Sequence, residues 1–245
     1  MHEYAMLADG DSVLVAVSGG IDSLFLLWLL HFWRKKAPLS YSLEAVHVDM
    51  EGDADSPGPA ACNVKAAVAR TGIALTVLPA LWRPDEAQLT APHPRNICYY
   101  CARSRRTQLF GHARERGFST LALGHHRDDI IETFVLNMTF SGNLSTMRPK
   151  QELFCGNLSL IRPLSYIDKS EIRQAAGNLG IRAVSTCCPL SGQTRRKDVR
   201  QLVQAMYALH PEAKKQIFSA LGNVRNDYLL KQSAEMKNSR KMQNP

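Results

Sequence analysis

The densest chemistry in the chain lies near its N-terminus, in the run Val15, Ala16, Val17, Ser18, Gly19, Gly20, Ile21, Asp22 and Ser23. The β-branched segment Val13–Val17 reads as a buried strand, and Leu24–Trp33 as a helix apolar on most sides. Between them, Gly19 and Gly20 let the backbone turn tightly and approach a ligand. The N–H groups opening the helix then face an anion, with the helix dipole adding to the attraction. Ser18 and Ser23 offer hydroxyls to phosphate oxygens. The run lacks the Gly-Lys-Ser/Thr ending by which a Walker loop holds the transferred phosphate. A bare glycine turn is the alternative, and the placement between strand and helix argues against it.

Two further groups carry chemistry. Gly124, His125, His126, Arg127, Asp128, Asp129, Ile130, Ile131, Glu132 and Thr133 follow an apolar strand over Thr120–Leu123. Carboxylates there can hold magnesium, a hard cation that prefers oxygen; Asp128 and Asp129 would also suit a helix N-terminus with no metal at all. Cys98-Tyr99-Tyr100-Cys101 is a CxxC pair at an expected loop-to-helix junction, and Arg103, Arg105 and Arg106 beside it would stabilise thiolates. Cys187-Cys188-Pro189 is the second cysteine group. An iron–sulfur cluster is the favoured reading. Zinc would need four ligands, for which adjacent cysteines are an awkward pair, and a thioredoxin-like redox pair would lie outside its βαβ setting. Cys62, in an Ala-rich helix, reads as a small core residue; Cys155 has no assigned role.

The elements that must position these groups alternate. Further strands are expected over Leu43–Val48, Ile73–Leu78 and Ser159–Ile161, and helices over Cys62–Arg70, Cys101–Arg116, Asp129–Met138 and from a cap at Asp168 to Leu179. This order predicts an α/β fold: a mostly parallel sheet covered by helices on both faces, binding ligands at the strands' carboxyl ends. Beyond Ser191 the pattern turns helical, over Lys197–Leu209, Pro211–Leu221 and a longer stretch. The domain reading is therefore 1–190 for the α/β unit, 191–236 for a C-terminal helical region, and 237–245 for a polar, disordered tail.

Composition narrows the setting. With 245 residues, 45% hydrophobic and 21% charged, the chain is long enough for a substantial core and has the balance of a soluble globular protein. It lacks an apolar run approaching the roughly 20 residues of a membrane span and the pattern of a signal peptide, so a cytoplasmic protein without membrane contact is expected. Six cysteines then suggest metal or redox chemistry rather than structural disulfides. A net charge of +8, concentrated at Arg103–Arg106, Arg195–Arg200 and Lys231–Lys241, points to a polyanionic partner such as nucleic acid.

Taken together, these residues resemble a known family. Ser18–Ser23 resembles the SGGxDS signature of PP-loop ATP pyrophosphatases, which cleave ATP between the α and β phosphates and have an adenine nucleotide alpha hydrolase-like fold. Gly124–Thr133 looks like the GHHxDDxxET segment of the tRNA-modifying members. With Asp9–Asp11, Cys98–Arg106, Ile161–Tyr166 and Cys188–Arg200, most of the chain resembles the tRNA-cytidine 2-thiolation family. The resemblance implies ATP with Mg2+, a 4Fe–4S cluster on three cysteines, a tRNA substrate, and sulfur from a cysteine desulfurase persulfide or sulfide. A base carbonyl oxygen would be adenylated and exchanged for sulfur, releasing AMP and pyrophosphate. Residue by residue, it places phosphates on Ser18, Gly19, Gly20, Asp22 and Ser23, and the rest of the nucleotide by His47, Gly124 and His125. It places the cluster on Cys98, Cys101 and Cys188, with Cys187 the competitor for the third position, and magnesium on Asp128 and Asp129. Asp22, Arg103, Arg106 and Asp128 are the implied catalytic groups. Two departures stand out: Ile21 replaces the family's lysine, leaving that charge absent or supplied by a nearby arginine, and Cys187-Cys188 replaces a late CxxC. A lysidine synthetase-like ligase without a cluster and a non-catalytic redox sensor remain alternatives, and a homodimer stays open.

Overall fold

The computed structural model describes residues 1–85, 88–89, 95–184 and 195–230. They form a six-stranded sheet of β1 (Asp11–Ala16), β2 (Tyr41–Asp49), β3 (Leu75–Pro79), β4 (Thr120–Ala122), β5 (Lys150–Leu153) and β6 (Leu158–Ile161), ordered β3-β2-β1-β4-β6-β5. All neighbours are parallel except β5 and β6. The helices are α1 (Ile21–Arg34), α2 (Pro59–Ala69), α3 (Arg95–Glu115), α4 (Arg127–Leu136), α5 (Lys169–Asn178), α6 (Arg195–Tyr207) and α7 (Ala213–Ala220). Among the described residues no helix is long and apolar enough to cross a membrane.

The strands read as continuous apolar runs because both faces are covered. In β1, Val13 and Val15 point into one core with Leu26, Leu27 and Leu30 of α1, Val64 and Val68 of α2 and Ile172 of α5. Leu14 points the other way, into a smaller core with Val46, Ala113, Phe118 and Leu121. The chain moves from β1 outward to β3 and then returns to place β4 on the other side of β1. The order therefore reverses between β1 and β4, where an open α/β sheet leaves a crevice at its carboxyl edge.

Several expected boundaries shift. α3 begins at Arg95, so the CxxC pair lies inside the helix rather than at its entrance. The strand β5 went unforeseen. It pairs antiparallel with β6 around a turn in which Phe154, Cys155 and Gly156 all have positive φ. The reading of Cys62 as a core residue is corrected: α2 buries Ala60, Ala61, Val64 and Val68, and Cys62 is exposed, off that stripe. Asp168 does cap α5, in a capping box with Glu171. The chain divides into two compact units, Met1–Gln204 and Ala205–Pro245. In the second, α7 is followed, among the described residues, by a 3-10 turn at Asn226–Tyr228, and the end of the expected helical stretch lies outside the described residues.

Candidate active site

The phosphate loop leaves β1 at the crevice. Gly19 adopts φ +87°, and its carbonyl accepts from the Val184 N–H at 2.9 Å. The Ser23 hydroxyl donates to the Gly20 carbonyl at 2.8 Å and accepts from the Ser18 N–H at 3.1 Å, which closes the loop over the first turn of α1. The Ser18 hydroxyl lies 3.3 Å from that of Ser23. A Cβ on Gly19 would meet Val64 Cγ2 at 2.9 Å and would force an L side chain into the left-handed region. Gly19→Ala should therefore cost about 1–3 kcal/mol in loop geometry. Isothermal titration should show ATP affinity falling by roughly tenfold or more.

Gly124 packs against this loop from the end of β4, where an added Cβ would lie 3.1 Å from the Asp22 carbonyl carbon and the Ser23 nitrogen. His47 is buried, and its Nδ1 lies 2.8 Å from the Val17 carbonyl oxygen, bracing the loop from β2. Asp49, also buried, accepts from the N–H groups of Gly58 at 2.7 Å, Glu51 at 2.9 Å and Gly52 at 3.1 Å. Burial would raise its pKa, but these three donors outweigh burial and hold it below the ordinary carboxylate range.

The first turns of α1, α4 and α5 converge here, which directs three helix N-termini at one region. Lys169, the first residue of α5, gives its backbone N–H to Asp128 Oδ2 at 3.0 Å and its ammonium to Asp22 Oδ2. Asp22 Oδ1 is buried and has no hydrogen-bond partner. His126 caps α4 in a box with Asp129 and lies among three carboxylates: Asp129 at 3.3 Å, Asp128 at 3.7 Å and Asp22 at 3.9 Å. Among the described residues no three such side chains form a ready-made metal cage. Magnesium characteristically takes one or two carboxylates and completes its shell with phosphate and water. Lys169 thus places a cation beside Asp22 in the loop where Ile21 leaves none.

A basic wall stands on the β4–β6 side. Arg162, at the end of β6, is only 6% exposed, and its Nε is buried without a partner. Burial, then the charges of Arg162, Arg196 and Arg106, push the His125 pKa down to about 3. Arg162 itself is lowered to about 10 by burial and by Arg106. An unfolded chain takes up a proton on this histidine near pH 6.5, so between about 6.5 and 3 the unfolded state binds more protons and stability falls as pH falls. Denaturant titrations between roughly pH 6.5 and pH 4 should show a shallower loss in His125→Gln than in the parent chain. Behind the wall, Arg200 of α6 holds the buried Glu132 of α4 through Nε at 2.7 Å and a second nitrogen at 3.1 Å. That bidentate pair ties the segment following the late cysteines to the crevice.

Cys98 and Cys101 are half-buried in the first turns of α3, three residues apart and so on one face. A crossover helix runs antiparallel to its strands, so these turns lie at the sheet edge that carries the phosphate loop. Gln108 fixes this packing, donating to the Pro79 carbonyl at 2.7 Å and accepting from the Leu81 N–H at 3.3 Å. Arg103 and Arg106 are exposed on the same helix. Cys187 and Cys188 lie outside the described residues. Lys169, Arg200 and the buried state of Arg162 were not foreseen; the only local hint was the lysine directly after the Asp168 cap.

Residues 2–206 match the PP-loop domain family. The chain is 34% identical over 230 residues to the tRNA-cytidine(32) 2-sulfurtransferase of Alkalilimnicola ehrlichii, covering 94% of this chain and 72% of that protein. It is 33% identical over 238 residues to the protein of the same name from Geotalea uraniireducens, covering 93% and 89%. Among solved structures, the U34-tRNA thiolase NcsA from Methanococcus maripaludis, determined with its 4Fe–4S cluster, shares the fold. It superposes with a TM-score of 0.70 at 22% identity, over 94% of this chain and 76% of the thiolase. The chain belongs to the PP-loop family and, within it, to the family of the tRNA-cytidine(32) 2-sulfurtransferases.

Proposed function

We propose that the protein is an ATP-dependent tRNA sulfurtransferase that adenylates a base carbonyl oxygen, that at C2 of a cytidine, and exchanges it for sulfur. The observation that carries this reading is the meeting, at one sheet edge, of a lysine-free phosphate loop, three helix N-termini and a helix whose first turns hold a CxxC pair. The sulfurtransferase relatives support tRNA as the substrate.

In this reading ATP lays its phosphates on Ser18, Gly19, Gly20 and Ser23, with His47, Gly124 and His125 toward the adenosine. Asp22, Asp128 and Asp129 would hold Mg2+, which would offset the charge of the phosphates. The base oxygen attacks the α-phosphorus, the bond to the bridging oxygen breaks, and pyrophosphate leaves. Lys169, the loop N–H groups, Arg103 and Arg106 balance the charge that develops, by positioning and by preorganised electrostatics. Sulfide, supplied as such or released from a cysteine desulfurase persulfide by a thiol reductant, then adds to the activated carbon, the carbon–oxygen bond breaks, and AMP leaves.

The cysteine site suits a cluster. Thiolates are the preferred donors for iron–sulfur centres, and Cys98 and Cys101 lie three residues apart on one helix face. Cys188 is the proposed third ligand. A 4Fe–4S cluster held there supplies a position for the transferred sulfur. The test is product chromatography on a reaction with substrate RNA. AMP and pyrophosphate are expected; ADP with phosphate would overturn the assignment.

A further inference from the structure

A hollow of about 320 Å³ opens beside the cysteine helix, lined by Leu81, Trp82, Tyr100, Arg103, Ser104 and Thr107. The last four occupy positions i, i+3, i+4 and i+7 of α3 and so form one stripe along it. Leu81 and Trp82 face them from the chain just after β3, held there by the two Gln108 hydrogen bonds. Tyr100 belongs to the CxxC pair itself, so the hollow adjoins the proposed site of sulfur transfer. It is also unusually apolar for a surface: Leu81 is 77% exposed and Tyr100 53% exposed.

Flat aromatic walls, one guanidinium and two hydroxyls suit a planar ring with a polar edge. Single-stranded RNA is recognised in this way, its unstacked bases resting on aromatic rings and guanidinium planes while side chains read their edges. The volume lies at the low end of the roughly 300–1,000 Å³ of small-ligand sites. Arg103, Arg105 and Arg106 are exposed along the same helix and match the phosphates that flank a base. The phosphate loop leaves β1, two strands away from β3, which favours RNA over the adenine of ATP as the occupant.

We propose that this hollow is an RNA-base subsite that holds an unstacked nucleobase of the substrate loop against Trp82 and Tyr100, with Arg103 toward its phosphate. The inference rests on the reading of the protein as a tRNA sulfurtransferase. The chain has three tryptophans, and the other two, Trp28 and Trp33, lie on α1. In the full-length W28F/W33F protein the emission therefore reports on Trp82 alone. A tRNA stem–loop with an unpaired cytidine should quench it, and ATP alone should not. Trp82→Ala and Tyr100→Ala should each weaken RNA binding by about tenfold or more, with ATP affinity kept as the check on folding, and Trp82→Phe should restore most of the loss. If both alanine variants bind RNA as the parent does, or if ATP alone quenches Trp82, the subsite is wrong. If the parent binds and thiolates RNA while Trp82 stays unquenched, only the subsite falls; if the parent binds no RNA, the tRNA reading falls with it.

Discussion

Asp22→Asn should stop AMP formation, lowering turnover by roughly 10²–10³-fold while leaving the fold intact. Asp22 stands in the first turn of α1, where one carboxylate oxygen receives the Lys169 ammonium and the other is buried with no donor. A buried carboxylate oxygen without a partner is costly in an isolated fold, and a cation arriving with ATP would satisfy it. Asparagine keeps the shape and still accepts from Lys169, but it removes the charge that would hold magnesium. The loss should therefore fall on turnover and on the magnesium dependence of ATP binding, with little change in thermal midpoint. An Asp22→Asn protein that makes AMP within about tenfold of the parent rate would remove this residue from the mechanism. Ser23→Ala should be nearly as damaging, because its hydroxyl closes the loop against both Gly20 and Ser18.

Cys98→Ala and Cys101→Ala should each lose the iron and visible absorbance of anaerobically purified protein, and thiolation with them, while ATP affinity persists. Both thiols lie on α3, outside the phosphate loop, which separates the two readouts. Cys62→Ala and Cys155→Ala serve as controls, since both residues are exposed: Cys62 lies off the buried face of α2 and Cys155 in the β5–β6 turn. Cys188→Ala should behave like Cys98→Ala, whereas Cys187→Ala should keep most of the cluster. Colourless Cys98→Ala protein that thiolates at the parent rate would exclude the cluster from sulfur transfer.

The sequence reading succeeded where local pattern decides structure. The β-branched run before Ser18 and the alternation of strands and helices through Ile161 are period-and-burial signals, and they predict the mostly parallel sheet. It failed at β5, a polar edge strand of Lys150, Gln151, Glu152 and Leu153, whose pairing is decided by a partner rather than by its own composition. Cys62 was misplaced because an Ala-rich helix hides its buried stripe, alanine being at home on either face. The site residues missed are those fixed by distant partners. Lys169 reaches Asp22 across 147 residues of sequence and Arg200 reaches Glu132 across 68, and no spacing rule spans such separations.

The most direct measurement is a nucleoside mass analysis of tRNA incubated with anaerobically purified protein, ATP, magnesium and sulfide, with AMP counted in the same reaction. The account predicts a cytidine whose oxygen has been replaced by sulfur, formed only when ATP is present, with one AMP released for each thionucleoside. Unmodified cytidine from a reaction that nonetheless consumes ATP, or thiolation without AMP, would contradict it.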